Sequence, residues 1–300
     1  MKNLLLTILL LLSPLFAFMQ VSVDANEIIE KLNKGEEVHY ENVTINGDVD
    51  FRLIKDREEE RDHDFDVIFN NNVTYKYHVN APLKFTNCIF NGKFIGYFND
   101  DKKDELHIAM FHQDALFTRC TFKGDFLVKY SEFNKAANFS ASLFEEDALF
   151  KYAEFNSEMD FSGSVFEEDA NFKYAEFPMY TNFSNTKFNE EANFKYTEFE
   201  DKIDFKECEF LGLGYFKYTD FDDFVDFSGS VFKSDAIFKY TEFPDGVSLE
   251  NVIFDDFADF KYAKLYDPVK LNNVAFDGET SFKYTKVEGK DFVTYLLRNK

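Results

Sequence analysis

Basic residues are scarce in this sequence. Lysine and arginine together number 33, against 56 aspartates and glutamates, and the formal net charge at pH 7 is −23. This excess of negative charge repels the phosphate backbones of nucleic acids and the headgroups of anionic lipids. The composition therefore excludes a basic nucleic-acid binder and predicts no direct contact with nucleic acid.

The sequence also lacks a catalytic or phosphate-binding grouping. None of its five histidines is spaced as a metal ligand from another, and none pairs with a serine or cysteine nucleophile. Gly212 and Gly214 do not form a glycine-rich phosphate loop. They are predicted to lie at a coil corner, where they permit an unusual turn. These absences predict a protein that is not an enzyme and has no cofactor. The histidines are His39, His63, His78, His107 and His112.

The N-terminal apolar run is too short for an ordinary membrane span. It extends from Leu4 to Phe18 after Lys2, whereas a spanning helix needs about 20 residues. Residues 1–25 therefore resemble a secretory signal peptide, with cleavage favoured after Ala25 and Ala17 as the other small-residue site. The apolar stretch also leaves an uncleaved N-terminal membrane anchor open. The predicted location is secreted or cell surface.

Tryptophan is absent, but other aromatics are abundant, with 41 Phe and 16 Tyr. Disordered chains lack such aromatic content. The motif Phe-Lys-Tyr-Ala-Glu-Phe begins at Phe150 and recurs at Phe172, and later copies with small changes follow every 22 residues. Looser copies are predicted to begin at Val128 and Leu106. The later copies begin at Phe194, Phe216, Phe238, Phe260 and Phe282.

Large apolar residues within each unit alternate at spacings of five and six. Phe150, Phe155, Phe161 and Phe166 are an example, and a small residue commonly stands two positions before each. Alternate side chains of an extended segment share one face, so each small and large pair is predicted to point inward together. The pattern predicts four short strands per unit and disfavours a helix, around which these phenylalanines would scatter.

This pattern resembles the pentapeptide-repeat family, whose unit is a small residue, Asn or Asp, Leu or Phe, and two further residues. The resemblance implies an all-β fold, a right-handed four-sided parallel β-helix, over residues 106–287. A regular coil would contain four fives, whereas this one contains five, six, five and six residues, so two corners per coil should carry an extra residue. The matching segments include Ala170–Tyr174, Ala192–Tyr196, Ala258–Tyr262 and Met159–Gly163.

Capping segments are predicted on either side of the repeats. Residues 26–50 should hold an N-terminal capping helix, Asn26 to Asn33, and the first strands. Residues 51–105 should form irregular opening coils, with a ten-residue insertion within 91–105. Two charged stretches, Lys55–Asp66 and Asn99–Glu105, are predicted to be solvated loops. Residues 288–300 should form a C-terminal capping helix.

The three cysteines are predicted to share one inward column. Cys88, Cys120 and Cys208 each stand two residues before an inward phenylalanine. They are interpreted either as small buried residues or, for Cys88 and Cys120, as a disulfide between stacked coils of a secreted protein.

Two surface columns are candidates for binding. Lysines and tyrosines recur together every 22 residues, and Glu154, Glu176 and Glu198 are expected to offset the repulsion between the lysines. The tyrosines are interpreted as a self-stacking ladder that stabilises the rod, or as a strip that binds a glycan or a protein. The lysines are Lys151, Lys173, Lys195, Lys217, Lys239, Lys261 and Lys283, and the tyrosines are Tyr152, Tyr174, Tyr196, Tyr218, Tyr240, Tyr262 and Tyr284.

A second column is acidic. Its carboxylates are predicted to stack at one corner, either as a hydrated edge or as a Ca²⁺ site, because oxygen ligands suit Ca²⁺. The residues are Glu145, Glu146, Asp147, Glu167, Glu168, Asp169, Glu190 and Glu191.

Two functional hypotheses follow. The first is a secreted or surface-associated, non-enzymatic scaffold that binds an extracellular protein or a cell-envelope polymer. The second is implied by the resemblance, because some pentapeptide-repeat proteins mimic DNA and occupy the DNA site of type II topoisomerases, often as dimers joined at their C-terminal ends. The net acidity and the apolar tail Phe292–Leu297 fit the second hypothesis, whereas the signal segment favours the first.

Overall fold

The computed structural model describes residues 21–61 and 73–299. The chain winds through four sheets, one on each side of a solenoid, and each regular coil contributes one two-residue strand to every side, in parallel with the coils before and after it. The predicted all-β, four-sided solenoid is confirmed. Short helices lie near its two ends, α1 (Ala25–Leu32) and α2 (Phe292–Asn299), and a single 3-10 turn spans Phe51–Leu53. No helix in the described ranges has the length and apolar character to span a membrane.

The four sides are numbered here for reference. Side 1 contains Val21–Asp24, Val43–Asn46, Ile89–Phe90, Thr121–Phe122, Leu143–Phe144, Val165–Phe166, Lys187–Phe188, Glu209–Phe210, Val231–Phe232, Ile253–Phe254 and Ala275–Phe276. Side 2 contains Val49–Asp50, Phe94–Ile95, Phe126–Leu127, Ala148–Leu149, Ala170–Asn171, Ala192–Asn193, Gly214–Tyr215, Ala236–Ile237, Ala258–Asp259 and Thr280–Ser281.

Side 3 contains Arg57–Arg61, Val73–Val79, Tyr97–Asp100, Glu105–Phe111, Glu132–Phe133, Glu154–Phe155, Glu176–Phe177, Glu198–Phe199, Asp220–Phe221, Glu242–Phe243, Lys264–Leu265, Lys286–Val287 and Lys290–Asp291. Side 4 contains Val38–Glu41, Leu83–Thr86, Ala115–Thr118, Ala137–Asn138, Met159–Asp160, Thr181–Asn182, Ile203–Asp204, Val225–Asp226, Val247–Ser248 and Val269–Lys270.

Stacked phenylalanines fill the interior. The column that begins at Phe150 points inward as predicted, and the ring centroids of Phe150 and Phe172 lie 4.8 Å apart. The Phe194 and Phe216 rings are 5.0 Å apart, and Phe194 is fully buried. Offset stacking of this kind adds to the free energy gained from burial. Each coil therefore stabilises its neighbours, as in other repeat proteins.

The corners between sides are of two kinds, as the alternating spacing predicts. In one kind a backbone turn closes, and the Ala153 N–H donates to the Phe150 carbonyl at 2.9 Å. In the other kind three residues, such as 156–158, join one strand to the next without this turn. Side chains at the first kind of corner are presented outward in regular columns along the rod.

The N-terminal cap begins earlier than predicted. Val21–Asp24 pairs in parallel with Val43–Asn46, so the first layer starts before residue 26. Helix α1 starts at Ala25, where the Asp24 side chain accepts a hydrogen bond from the Asn26 N–H at 2.8 Å. Most of the predicted signal segment, residues 1–20, lies outside the described residues.

The opening coils differ from the prediction in their register. Ile95 pairs with Leu127, so the chain position that corresponds to Val128 is Gly96, and the looser copy was wrong in its first half, Leu106–Ile108. Its second half is in the predicted register, because Met110–Phe111 pairs with Glu132–Phe133. The extra residues form a hairpin in which Tyr97–Asp100 pairs antiparallel with the first half of Glu105–Phe111. The insertion therefore lies mainly after Gly96, and uninterrupted 22-residue coils begin after this hairpin.

The charged stretch after Lys55 is also a hairpin strand in part. Every residue of Arg57–Arg61 is exposed, and the segment pairs antiparallel with Val73–Val79. The prediction of a loop was wrong for this segment, because charged residues can occupy an exposed strand at a sheet edge. Residues 62–66 of the predicted loop lie outside the described residues.

Candidate functional site

The most regular surface feature is the row of tyrosines at the corners between sides 2 and 3. Each tyrosine is the third residue of a four-residue corner turn and has a positive φ, for example +58° at Tyr152. Glycine or asparagine ordinarily occupies this position, and the left-handed conformation costs a bulky residue about 1–2 kcal/mol. The row contains Tyr130, Tyr152, Tyr174, Tyr196, Tyr218, Tyr240, Tyr262 and Tyr284.

Stacking between the tyrosine rings offsets this backbone cost. The rings of Tyr152 and Tyr174 are 4.7 Å apart and inclined by 3°, and those of Tyr174 and Tyr196 are 4.9 Å apart and inclined by 1°. The pairs from Tyr196 to Tyr284 lie at 4.8–5.0 Å. Both faces of each inner ring are therefore covered by neighbouring rings, and only ring edges and hydroxyls reach solvent.

A lysine accompanies each tyrosine, as the sequence predicts. The Lys173 Nζ atom is 4.8 Å from the centre of the Tyr174 ring, and Lys239 is 5.3 Å from Tyr240. Together with Lys129 beside Tyr130, these residues form a row of eight lysines that we call the lysine–tyrosine strip.

The ammonium groups of this strip form no ion pair with any carboxylate in residues 21–61 and 73–299. Within the described part of the chain, none of the eight lysines forms an ion pair, so Glu154, Glu176 and Glu198 do not offset the repulsion through direct contact. Partial burial and the neighbouring lysines lower the pKa of Lys151 and of Lys217. The strip is thus a row of repelling positive charges on an acidic protein.

The acidic residues next to the strip form a ladder of their own on side 3. Its members are in register along the rod: Glu132, Glu154, Glu176, Glu198, Asp220 and Glu242. Burial, and then the neighbouring carboxylates, raise the pKa of Glu154, Glu176, Glu198 and Asp220. At its C-terminal end Glu242 pairs with Lys264. In the sequence, this carboxylate ladder is indicated by the Asp or Glu that directly precedes each inward phenylalanine of side 3 in the regular coils.

The predicted calcium corner is stacked but not convergent. Glu145, Glu167 and Asn189 occupy equivalent positions in three successive coils, so an amide stands where a third carboxylate would extend the column. The Asn189 side-chain amide donates to Glu167. The Glu191 N–H donates to the Asp169 carboxylate at 3.2 Å. Among residues 21–61 and 73–299, no group of three or more His, Cys, Asp or Glu side chains is arranged to hold a metal ion.

The hairpins bring together histidines that the sequence shows only as dispersed. Nδ1 of His78 lies 2.8 Å from Nε2 of His112, and the Asn134 amide donates to Nδ1 of His112 at 3.0 Å. His112 therefore carries its proton on Nε2 and donates it to His78. Burial, and then His78, lower the pKa of His112. The two histidines are 34 residues apart, so only the register of the opening coils reveals their contact.

A polar pocket of about 410 Å³ lies at the N-terminal end of the lysine–tyrosine strip. There the rings of Tyr97 and Tyr130 are 6.0 Å apart and inclined by 54°, so the outer face of Tyr130 is not covered by a parallel ring. Lys129 Nζ is 3.4 Å from the Tyr97 hydroxyl. The lining residues are Thr74, Tyr97, Asn99, Asp101, Asp104, Leu106, Lys129 and Tyr130.

Comparison with known proteins identifies the repeats. A family model described as pentapeptide repeats (9 copies) matches the chain in five overlapping ranges, residues 129–176, 150–198, 172–220, 194–241 and 216–264. No curated protein and no solved structure matches the chain. The matched residues include most of the lysine–tyrosine strip.

Proposed function

Because the chain belongs to the pentapeptide-repeat family, we propose that it acts outside the cytoplasm as a non-catalytic scaffold that binds a cell-envelope polymer. The lysine–tyrosine strip carries this proposal. It repeats one chemistry at every coil, and its eight ammonium groups have no carboxylate partner within the described ranges. A partner that carries carboxylate or phosphate groups at intervals would relieve the repulsion between them.

The geometry also limits how such a polymer binds. The inner tyrosine rings have both faces covered, so they offer hydroxyls and edges to a partner instead of stacking surfaces. The pocket at the N-terminal end of the strip offers the less covered ring of Tyr130, and it suits the end of a polymer chain. Weak contacts repeated along eight coils add up through a high effective concentration.

Export is the second part of the proposal. The first strand and the helix cap depend on Val21–Asp24, so cleavage after Ala25 would remove both. We therefore favour cleavage upstream of Val21, and Ala17 is the small residue that the sequence offers there. An uncleaved N-terminal anchor would leave the same solenoid on the outer surface of the membrane.

A charge-matched pair of variants tests the polymer proposal. In the first, Lys173, Lys195 and Lys217 of the strip become glutamine. In the second, the same change is made at Lys187, Lys206 and Lys233, which are paired with carboxylates elsewhere on the rod. Both lose three positive charges, and retention on insoluble, acidic cell-wall polysaccharide is measured by co-sedimentation.

We expect retention of the strip variant to fall at least about tenfold, because multivalent binding weakens steeply as individual binding groups are removed. The control variant should stay within about twofold of the unchanged protein. Added salt should weaken retention, because it screens exposed charges. An equal decrease in the two variants, or no retention of the unchanged protein, would contradict the proposal.

The carboxylate ladder favours one alternative, an acidic DNA mimic that binds a type II topoisomerase. Six carboxylates in one row and a net charge of −23 support it. A dimer joined through the C-terminal end, where α2 buries Phe292, belongs to the same alternative. It predicts that the purified protein inhibits DNA supercoiling by gyrase, whereas the scaffold proposal predicts no inhibition.

A further inference from the structure

Cys88 and Cys120 occupy equivalent positions in successive coils. Ile89 pairs with Thr121, and the Thr121 N–H donates to the Cys88 carbonyl at 2.8 Å. Both side chains are buried, with 1% of each residue exposed. The two thiols therefore face the interior side by side, as the insertion length in the sequence predicted.

The third cysteine occupies the same column but has no cysteine neighbour. Twenty-two residues on either side of Cys208 stand Thr186 and Ser230. Hydroxyls in this column donate to a phenylalanine carbonyl of the preceding coil, as Ser230 does to Phe205 at 2.6 Å. The Cys208 thiol makes the equivalent contact to Phe183 at 3.0 Å. Cys208 is thus a thiol in a hydroxyl position and a natural control.

The other two thiols make longer contacts with carbonyls. The Cys120 Sγ–H donates to the backbone carbonyl of Phe85 at 3.5 Å, and the Cys88 Sγ–H donates to the backbone carbonyl of Tyr40 at 3.4 Å. Their strongest effect is on each other, because the neighbouring Cys120 thiol lowers the pKa of Cys88. Burial raises the pKa of Cys208. Within the stacked coils, the Cys88 thiol is therefore more acidic than the Cys208 thiol.

We propose that Cys88 and Cys120 form a disulfide when the chain folds in an oxidising compartment. Equivalent residues of neighbouring parallel strands lie about 4.8 Å apart, within the Cα separation that a disulfide permits. The Cβ atoms need to approach to about 3.8 Å. This bond would fasten the irregular opening coils, with their two hairpins, to the first regular coil.

The reaction is a thiol–disulfide exchange with a low-molecular-weight disulfide such as oxidised glutathione. The Cys88 thiolate attacks one sulfur of the reagent and expels the first thiolate, which takes up a proton. The Cys120 thiol then loses its proton and attacks the Cys88 sulfur, which expels the second thiolate. Two cysteine thiols are oxidised and one reagent disulfide is reduced to two thiols. Exchange takes place during folding, before the stacked coils bury the column.

The test is refolding of the reduced protein in a glutathione redox buffer. The products are alkylated with iodoacetamide in denaturant, digested and analysed by mass spectrometry. We expect one linked pair of peptides that contains Cys88 and Cys120, two hydrogen masses below their sum, with Cys208 alkylated. The variant Cys208→Ser should keep this link, and Cys88→Ser and Cys120→Ser should each lose it.

Three alkylated cysteines in the refolded, unchanged protein would overturn the proposal. Links that involve Cys208 as often as Cys120 would overturn it as well, because they would show random pairing. Circular dichroism of each variant establishes that it has folded, so that absence of a link reports on the bond itself. The outcome does not depend on the polymer proposal, because the chemistry is tested on the purified chain.

Discussion

At the residue scale, the left-handed tyrosines combine a backbone cost with a packing gain. Tyr196 has a φ of +58° and stacks between Tyr174 and Tyr218 at 4.9 and 5.0 Å. The backbone cost is about 1–2 kcal/mol, and each aromatic pair contributes about 0.5–1.5 kcal/mol beyond the area it buries. Because two rings share each pair, stacking along the column contributes about one pair per ring and offsets a large part of the backbone cost.

This balance predicts an unusual order of substitutions at Tyr196. Alanine loses the stacking but keeps the strained backbone, whereas glycine loses the stacking and relieves the strain. We expect Tyr196→Gly to be more stable than Tyr196→Ala by about 0.5–1 kcal/mol, after the entropy cost of glycine is subtracted. Urea unfolding of the two variants measures the difference. Tyr196→Ala as the more stable variant would contradict this account.

A control stands at the opposite corner of the coil. Gly163 has a φ of +67° and lies in open surroundings, with the nearest atom to an added Cβ at 3.9 Å. Gly163→Ala should destabilise the fold by about 1 kcal/mol through backbone strain alone. No ring stacking changes in this variant.

The inward phenylalanines carry most of the stability of each coil. Phe194 is fully buried and packs between Phe172 and Phe216. Phe194→Ala should lower the free energy of unfolding by about 3–5 kcal/mol, because it leaves a cavity between stacked rings. Lys195→Ala, at the next position but outside, should change it by less than about 1 kcal/mol. Equal shifts in the melting temperatures of the two variants would refute this assignment of inside and outside.

The inward columns could be predicted from the sequence, and the local backbone could not. A strict spacing places Phe150 above Phe172 whatever the turn geometry is. The sequence did not indicate the positive φ of Tyr152, because glycine and asparagine are the usual residues at that position of a turn. The contact between His78 and His112 depends on hairpin lengths that no periodicity records.

At the scale of elements, the carboxylate ladder links stability to pH. The pKa of Glu198 is raised by burial, then by Glu176 and Asp220. The folded state therefore binds protons more readily than the unfolded state, and this column is least favourable to folding above its raised pKa values. Its unfavourable contribution disappears as the pH falls toward the ordinary value for glutamate.

Glu198→Gln isolates this effect. At pH 7 the variant should unfold at a higher urea concentration than the unchanged protein, because stacked like charges repel by about 0.9 kcal/mol per pair in water. The difference should shrink as the pH falls through the raised pKa of Glu198 toward the ordinary value for glutamate. The control Glu207→Gln removes an exposed corner charge outside the ladder. A difference that is constant with pH, or that the control reproduces, would count against the ladder.

The hairpins show where the element prediction failed. The insertion length of ten residues was recovered in the pairing of Phe90 with Phe122, but the range predicted for it, 91–105, begins and ends too early. The charged residues Asn99–Glu105 were predicted to be a loop. Those residues form the end of the hairpin, and its strands reach from Tyr97 to Phe111. Charge marks exposure, and an exposed segment can be a strand as well as a loop.

At the scale of the whole molecule, the 22-residue period determines the architecture. It fixes the coil length and the sheet register, since every residue repeats its environment one coil later. The N-terminal boundary was not recovered, because Val21–Asp24 continues the apolar character of the preceding segment. Only its pairing with Val43–Asn46 shows that it belongs to the solenoid.

Truncation tests that boundary. A chain that begins at Asn26 should be less stable than one that begins at Val21 by at least about 2 kcal/mol. It lacks a strand, the Asp24 helix cap and the buried Ala25, and the cap alone contributes about 1 kcal/mol. Thermal unfolding of both chains provides the comparison. Identical melting temperatures would indicate that the solenoid begins at residue 26, as the sequence predicted.

Fractionation of the native cells, with the intact mass of the recovered protein, tests the central claim most directly. The account predicts a protein outside the cytoplasm. Its mass should correspond to a chain that begins at or before Val21, or to a full-length chain anchored in the membrane. A full-length protein in the cytosol would contradict the claim, because a cytosolic solenoid would have no access to a polymer of the cell envelope.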